Sequence, residues 1–278
     1  MAKKKNIVKY ANSINEVQFN GLDAAELNVL FSIFSVIKDK QGKQVLPFNE
    51  FRKMTGIKTK DKQRFVEYVR NTYKKILSIC CEFEDDESIE LFTVVNRVYV
   101  DKKMEYVEIE PNEAFIKYFS DVLTQYTIFE LKDITELESK YAKNLYRLLI
   151  QFRSTGYCYL TFEQLKKGLD ISDTYTTNNI LKRCILPSVK EITEKEKIEN
   201  LKYKAIYDES KKGQPVKAYE FTFTPKASNI IDGQMAFDFV NNRLVTQRVD
   251  KKPHGFTQRS YDYEELEKLL IEEGRTKK

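Results

Sequence analysis

Leu27, Leu30, Phe31, Phe34 and Ile37 recur at helical spacing and predict a helix with one buried stripe. An extended segment precedes it near residues 7–19, Gly21 breaks that segment, and Asp23 is placed to cap the helix. Val45 and Leu46 fit a very short strand after the turn at Gly42. Pro47 stands where a short helix can begin, since its missing N–H is not needed there; Phe48, Phe51 and Met54 face inward and Gly56 closes it. The next helix is predicted over residues 61–77, with Phe65, Val69 and Ile76 on one face. Segments 79–84, 89–100 and 104–109 are rich in β-branched and aromatic residues and read as strands. Pro111 is placed to begin a connecting helix.

The second half repeats the plan. Residues 126–131 read as a strand and 134–152 as a helix with Leu137, Tyr141, Leu145, Leu148 and Phe152 inward. A short strand is predicted over 157–160, then a short helix capped by Thr161, with Gln164 in capping-box position. A longer basic helix starts near Thr174 and buries Leu181, Ile185, Ser188 and Ile192, with a kink at Pro187. A hairpin follows over 198–207 and 216–224. Residues 46–57 (LPFNEFRKMTGI) and 160–171 (LTFEQLKKGLDI) share the pattern L-x-F-x-x-[F/L]-[K/R]-K-x-x-x-I at an offset of 160 − 46 = 114 residues. Helix, short strand, short helix, longer basic helix and hairpin is the order of a winged helix. The expectation is an α+β chain of two tandem winged-helix domains related by internal duplication. They occupy residues 1–122 and 123–226, and a tail follows at 227–278. Residues 246–260 read as a linker and 261–273 as a short acidic amphipathic helix.

Total charge changes this picture little. The formal net charge is +5, from 47 basic and 42 acidic residues, so the distribution of charge must carry any nucleic-acid argument. The apolar fraction of 41% is enough for packed cores. The four cysteines (Cys80, Cys81, Cys158, Cys184) lack C-x-x-C spacing and read as buried reduced thiols. The only histidine, His254, lies far from them, so no metal and no cofactor are expected. No phosphate-binding glycine motif and no catalytic constellation is found, and the chain is read as a non-enzyme. No apolar run is long enough for a membrane span and no signal peptide is recognised, so the expectation is a soluble cytoplasmic protein.

The basic helices carry the positive signal, because an α-helix fits the major groove. In the first, Gln63, Arg70 and Lys74 oppose the buried face at ~100° per residue, with Lys60 and Asn71 nearby. In the second, Asn179 and Arg183 suit adenine and guanine edges, Thr176 and Lys190 share their face, and Lys182 flanks it. Tyr175, Thr176 and Thr177 at its start suit phosphate. Lys211 and Lys212 sit in the second hairpin loop as a wing. For each of these the competing reading is a solvated face or turn. The first unit's hairpin carries Asp85, Asp86 and Glu87, which phosphate repels; this makes the first unit the weaker DNA contact and a candidate for protein–protein contact. In the tail, Gln234, Met235, Phe237 and Phe239 resemble the peptide by which bacterial proteins dock on the replicative sliding clamp, with Phe237 in place of the usual leucine; the competing reading is a segment packed on its own domain.

With the duplicated plan established, residues 141–169 (YAKNLYRLLIQFRSTGYCYLTFEQLKKGL), the basic helix with Lys182 and Arg183, and the Pro187 break resemble the theta-type, iteron-binding plasmid replication initiators. The resemblance covers roughly residues 7–224. It implies binding to direct repeats at an origin as a monomer and to an operator inverted repeat as a dimer, repressing its own gene. It also implies dimerisation through the first unit, recruitment of host helicase and chromosomal initiator proteins, and no catalytic activity. The main readout would come from residues 174–190 and a second contact from 61–75. A transcriptional repressor of the same fold is the nearest rival, and a rolling-circle nicking enzyme, which needs a histidine pair, is the rival of another class.

Overall fold

Asp23 begins the first long helix as its position predicts. Its Oδ1 accepts the N–H groups of Ala25 and Glu26 at 2.8 Å each, and the Glu26 carboxylate accepts the Asp23 N–H at 2.8 Å. The computed structural model describes residues 6–19, 21–37, 42–84, 87–120 and 125–226, and the backbone of 236–238 and 243–245. Along the first half run β1 (Ile7–Ala11), α1 (Ala24–Ile37), β2 (Gln44–Pro47), α2 (Phe48–Thr55), α3 (Lys62–Leu77), β3 (Cys80–Glu84), β4 (Ile89–Thr93), β5 (Val95–Asp101), β6 (Tyr106–Pro111) and α4 (Glu113–Ser120). The second half holds β7 (Tyr126–Glu130), α5 (Leu131–Thr135), α6 (Lys140–Ile150), β8 (Tyr157–Thr161), α7 (Phe162–Gly168), α8 (Thr177–Ile180), α9 (Leu186–Glu194), β9 (Lys202–Tyr207) and β10 (Val216–Thr222). Two tail strands, β11 (Ala236–Asp238) and β12 (Arg243–Val245), pair antiparallel.

The duplication is a structural one. The sheets β2-β6-β5 and β8-β10-β9 have the same strand order, with the last strand of each unit in the middle. Leu46 in β2 and Leu160 in β8, the first residues of the repeated pattern, are both buried. Thr161 makes the expected capping box with Gln164. Gly156 is obligatory before β8: its φ is +68°, and a Cβ there would overlap the Phe223 carbonyl.

Several elements depart from expectation. The opening strand ends at Ala11 and a 3-10 turn, Asn12–Glu16, follows it. Segment 89–100 is two strands that separate at the buried Val94. Pro111 ends β6 opposite Val95, and Asn112 instead caps α4 by accepting the Ala114 N–H at 2.9 Å. Strand β9 starts at Lys202 because Ile198 is buried in the turn before it. Cys80 is exposed, while Cys81, Cys158 and Cys184 are buried; all four are free thiols.

One correction bears on function. The acidic hairpin β3–β4 is not the first unit's wing. It forms its own two-stranded sheet, inserted between α3 and β5. The strands that match the second unit's wing are β5 and β6, whose turn carries Lys102 and Lys103. Asp85 and Asp86 lie outside the described residues.

The helix expected over 134–152 is broken into α5 and α6, and the cause is polar. In a continuous helix the Ile134 carbonyl would accept the Glu138 N–H. Here Lys143 Nζ takes that carbonyl at 2.6 Å, and the Glu191 carboxylate takes the Glu138 N–H. Ser139 then caps α6, accepting the Tyr141 N–H at 3.2 Å. Residues 142–150 are buried all round, where the apolar stripe had implied one buried face; Tyr141 at the start of α6 is only half-buried.

Two cations are caught inside this burial, one helical turn apart. Lys143 is 1% exposed and also donates to Asn28 Oδ1 on α1 at 2.7 Å and to the Leu137 carbonyl. Asn28 in turn donates to the Thr55 carbonyl at the end of α2 at 3.1 Å. Arg147, also 1% exposed, donates to the carbonyls of Ile14 at 3.2 Å, Val17 at 3.1 Å and Gly168 at 3.2 Å. Its guanidinium lies over the Phe19 ring, 4.6 Å from the centroid. Strand β1 pairs antiparallel with β7, and a buried chain runs from Tyr10 through Asn15 to Thr127. The two halves therefore share a core across the midpoint of the sequence.

Burial pulls the Lys143 ammonium down from 10.5 to about 7; Lys195 adds to the shift and the Glu191 carboxylate opposes it. Between about pH 7 and 10.5 this lysine holds its proton in the unfolded chain but not in the folded one, so its own contribution to stability rises with pH through that window. Lys143→Met removes that rise and takes the ammonium donor from Asn28 Oδ1 and the Leu137 carbonyl, each costing about 1–3 kcal/mol, while the Ile134 carbonyl keeps the Leu137 N–H. Urea unfolding of both proteins across the window checks this, and parallel pH profiles would refute the assignment.

Candidate nucleic-acid interface

Helix α3 is regular because its start is capped: Asp61 Oδ1 accepts the Arg64 N–H at 2.7 Å. Its apolar face (Phe65, Val66, Val69, Tyr73, Ile76) is buried. Gln63, Arg70, Asn71 and Lys74 are exposed, as is Lys60 just before the cap. Arg52 of α2 stacks its guanidinium over Phe65 at 4.1 Å, which packs α2 against α3. Lys75 ties the far end of α3 to α1 through Glu26 at 2.8 Å and the Gly21 carbonyl at 3.1 Å.

The wing of this unit lies against its helix. Lys62, Gln63, Val66, Glu67, Arg70 and Lys102 line a groove of about 480 Å³ between α3 and the β5–β6 turn. Asp101 shapes that turn by accepting the N–H groups of Lys103 and Met104, both at 2.8 Å. Those bonds, the Met104 N–H first, hold the Asp101 carboxyl below its ordinary range. Lys62 pairs with Glu105 at 2.7 Å, leaving Arg70, Lys74, Lys102 and Lys103 as the exposed cations of this face. Sequence alone does not single out Lys102 and Lys103, because the acidic hairpin between α3 and β5 stands where a wing is expected.

The second basic helix is not continuous. Thr176 caps α8, its Oγ1 accepting the Asn179 N–H at 3.3 Å. A π-helical turn, Leu181–Ile185, joins α8 to α9, and the Leu186 N–H reaches back five residues to the Leu181 carbonyl. Pro187 explains the turn: it has no N–H for the Arg183 carbonyl and its ring crowds that carbonyl, so the helix widens. The wider turn rotates the two parts relative to the face a regular helix would show. Asn179 becomes half-buried, and Asn178 is exposed in its place. Leu181 is half-buried, and Ile180 and Cys184 take the buried positions beside Ile185, Ser188 and Ile192.

Thr176, Thr177, Lys182, Arg183 and Lys190 are exposed. Tyr175 is half-buried and packs on the core, and the Arg183 guanidinium lies 5.9 Å from its ring centroid. Lys190 is 3.7 Å from Glu194 in an exposed pair. In the β9–β10 wing Lys211 and Lys212 are exposed, with Lys211 3.4 Å from Asp208. Lys202, Lys204 and Lys217 on the wing strands are exposed too and extend the basic set. Alternation along β9 could have found Lys202 and Lys204 from sequence. Glu191 anchors the helix from behind, accepting the N–H groups of Glu138 and Ser139 at the start of α6.

Gln234, Met235 and Phe239 lie outside the described residues, as does His254, and Phe237 is described only as backbone in β11. Among the described residues no group of three or more His, Cys, Asp and Glu side chains is placed to hold a metal ion. No helix among them is long and apolar enough to cross a membrane.

The tandem arrangement of two such units has counterparts among known proteins. Residues 7–150 fit the family model described as Initiator Replication protein, WH1, and residues 161–223 that described as Initiator Rep protein, WH2. A probable replication protein rep from Bifidobacterium longum (strain NCC 2705) is 28% identical over 232 residues, covering 82% of this chain and 76% of that protein. Among solved structures, the Pi initiator protein in complex with iteron DNA superposes with a TM-score of 0.64 at 14% identity, over 81% of this chain and 99% of that one. Domains 2 and 3 of RctB align at a TM-score of 0.43 and 12% identity, over 74% of this chain and 83% of that one. With WH1 and WH2 models matching in tandem over most of its length, the chain belongs to the initiator replication protein family.

Proposed function

We propose that this initiator acts by binding double-stranded DNA at directly repeated sites of a plasmid origin, one winged helix to each of two neighbouring groove segments. The observation that carries this reading is the duplicated pairing of a basic helix with a basic wing inside one shared core. The Pi initiator, which has this fold, is bound to iteron DNA in its own structure. In the second unit Asn178, Lys182 and Arg183 read base edges, while Thr176, Thr177 and the wing lysines hold phosphate. In the first unit Arg70 and Lys74 face the groove with Lys102 and Lys103 beside them.

The protein is further proposed to repress its own gene as a dimer on an inverted repeat and to recruit host replication proteins without doing bond chemistry itself. Footprinting on the DNA flanking its gene tests the central part. Protection of several direct repeats at helical-turn spacing supports initiation at an origin; protection of one inverted repeat over the promoter favours a repressor. A metal-dependent nick in supercoiled origin DNA would overturn the non-enzymatic reading.

Arg183→Ala is expected to cost about 1–3 kcal/mol of specific binding and relax one base preference, measured by competition between cognate and mutated sites. Unchanged discrimination would count against Arg183 as a base reader. Replacing Lys211 and Lys212 by Ala, or Lys102 and Lys103 by Ala, should lower the salt slope of binding by roughly 1 per lost phosphate contact and leave sequence preference alone. A slope equal to wild type for the Lys102 and Lys103 pair would remove the first wing from the interface.

A further inference from the structure

Behind the basic groove of the first unit lies an apolar cleft. Val66, Tyr73 and Leu77 of α3 face Val98 and Val100 of β5 across a space of about 220 Å³, which Arg70, Lys74 and Lys102 also line. Its origin is local. Residues 98, 100 and 102 alternate onto one side of the chain, and the two valines are too short to fill the space beneath the helix. Both valines are only half-buried, and Leu77 is 37% exposed. The lining runs from Val66 to Leu77, about 16 Å along the helix axis. At one end the cleft adjoins the basic groove, for Val66, Arg70 and Lys102 line both. Among the residues lining that groove Glu67 is the one acid, and Lys62 is already paired with Glu105. Arg70 and Lys102 therefore leave an excess of positive charge at the mouth of an apolar space.

We infer that this cleft binds a free amphipathic anion, an unbranched aliphatic chain that ends in a carboxylate. The chain lies along α3 between Val66 and Leu77 and covers Val98 and Val100. The carboxylate sits in the groove, where the Arg70 guanidinium and the Lys102 ammonium receive it. Length and narrowness select a chain, because a ring or one anchoring side chain leaves most of the cleft without contacts. Charge selects the head, because a cationic chain would meet Arg70 and Lys102. The head takes the place of a phosphate at these two residues, so ligand and DNA compete for the first unit. That competition rests on the proposed reading of DNA; the site does not, and its test reads the ligand directly.

The test titrates the full chain with decanoate below its micellar concentration, by calorimetry. Saturable binding is expected, tightening by about fourfold per methylene, so that octanoate binds about tenfold or more weakly. Decanol should bind more weakly than decanoate, and decyltrimethylammonium not at all. Val100→Phe, which fills the cleft, and Leu77→Ser, which removes part of its wall, should each weaken decanoate and decanol by about tenfold. Arg70→Ala/Lys102→Ala should weaken decanoate and leave decanol unchanged. Leu77, Arg70 and Lys102 are exposed, so their variants decide the matter if circular dichroism shows Val100→Phe to be unfolded. No saturable binding at millimolar decanoate, affinity independent of chain length, or wild-type affinity in the cleft variants would overturn the inference. Tighter binding of an acidic Glu/Leu peptide, lost in the same variants, would make a protein the occupant and overturn it too.

Discussion

Two basic side chains buried on α6 set the terms for the rest of this molecule. A cation removed from water is costly unless every polar atom around it is placed to receive it. Lys143 and Arg147 meet that demand with carbonyl and carboxamide oxygens drawn from both halves of the chain. The acceptors are neutral, so the bonds are directional and leave little freedom to slide. Arg147 joins the loop after β1 to the end of α7, and Lys143 joins α1 to the end of α5. The arrangement is an argument for fixed orientation more than for stability, since well-packed apolar residues often serve stability as well as buried charges do.

Fixed orientation is what the proposed reading of DNA by two helices needs. Each helix is braced to the shared core by a charged contact at its back. Lys75 ties α3 to the start of α1, and Glu191 ties α9 to the start of α6. The exposed faces are then free to carry Arg70 and Lys74 on one helix and Lys182 and Arg183 on the other. An initiator that must bind repeats in register would gain from such bracing, because an error in the angle between the units would move one helix out of its groove. The π turn at Leu181–Ile185 adds a second device, since it sets which side chains of the second basic helix look outward.

Much of this was legible in the sequence, and each miss has a physical cause. The repeated pattern from Leu46 and from Leu160 located both winged helices, because strand register and helix periodicity are local properties. The Thr161 capping box was readable for the same reason. Lys143 and Arg147 were not, because lysine and arginine beside an apolar stripe read as a solvated edge until a second element is known to cover them. Asn179 was placed outward by regular helical geometry, and Pro187 changed that geometry by removing one donor. Lys102 and Lys103 were hidden by an inserted hairpin, which only strand pairing could separate from the true wing.

The claim that the buried cations of α6 hold the two winged helices at one angle can be measured directly. Spin labels at Arg70→Cys on α3 and Lys190→Cys on α9, with Cys80 replaced by Ser, report the distance between the reading helices by pulsed electron resonance. The account predicts one narrow distribution in the otherwise wild-type chain. It predicts a broadened distribution in Arg147→Lys, which keeps the charge but loses the planar fork that reaches three carbonyls. A distribution as narrow in Arg147→Lys as in the parent would contradict it.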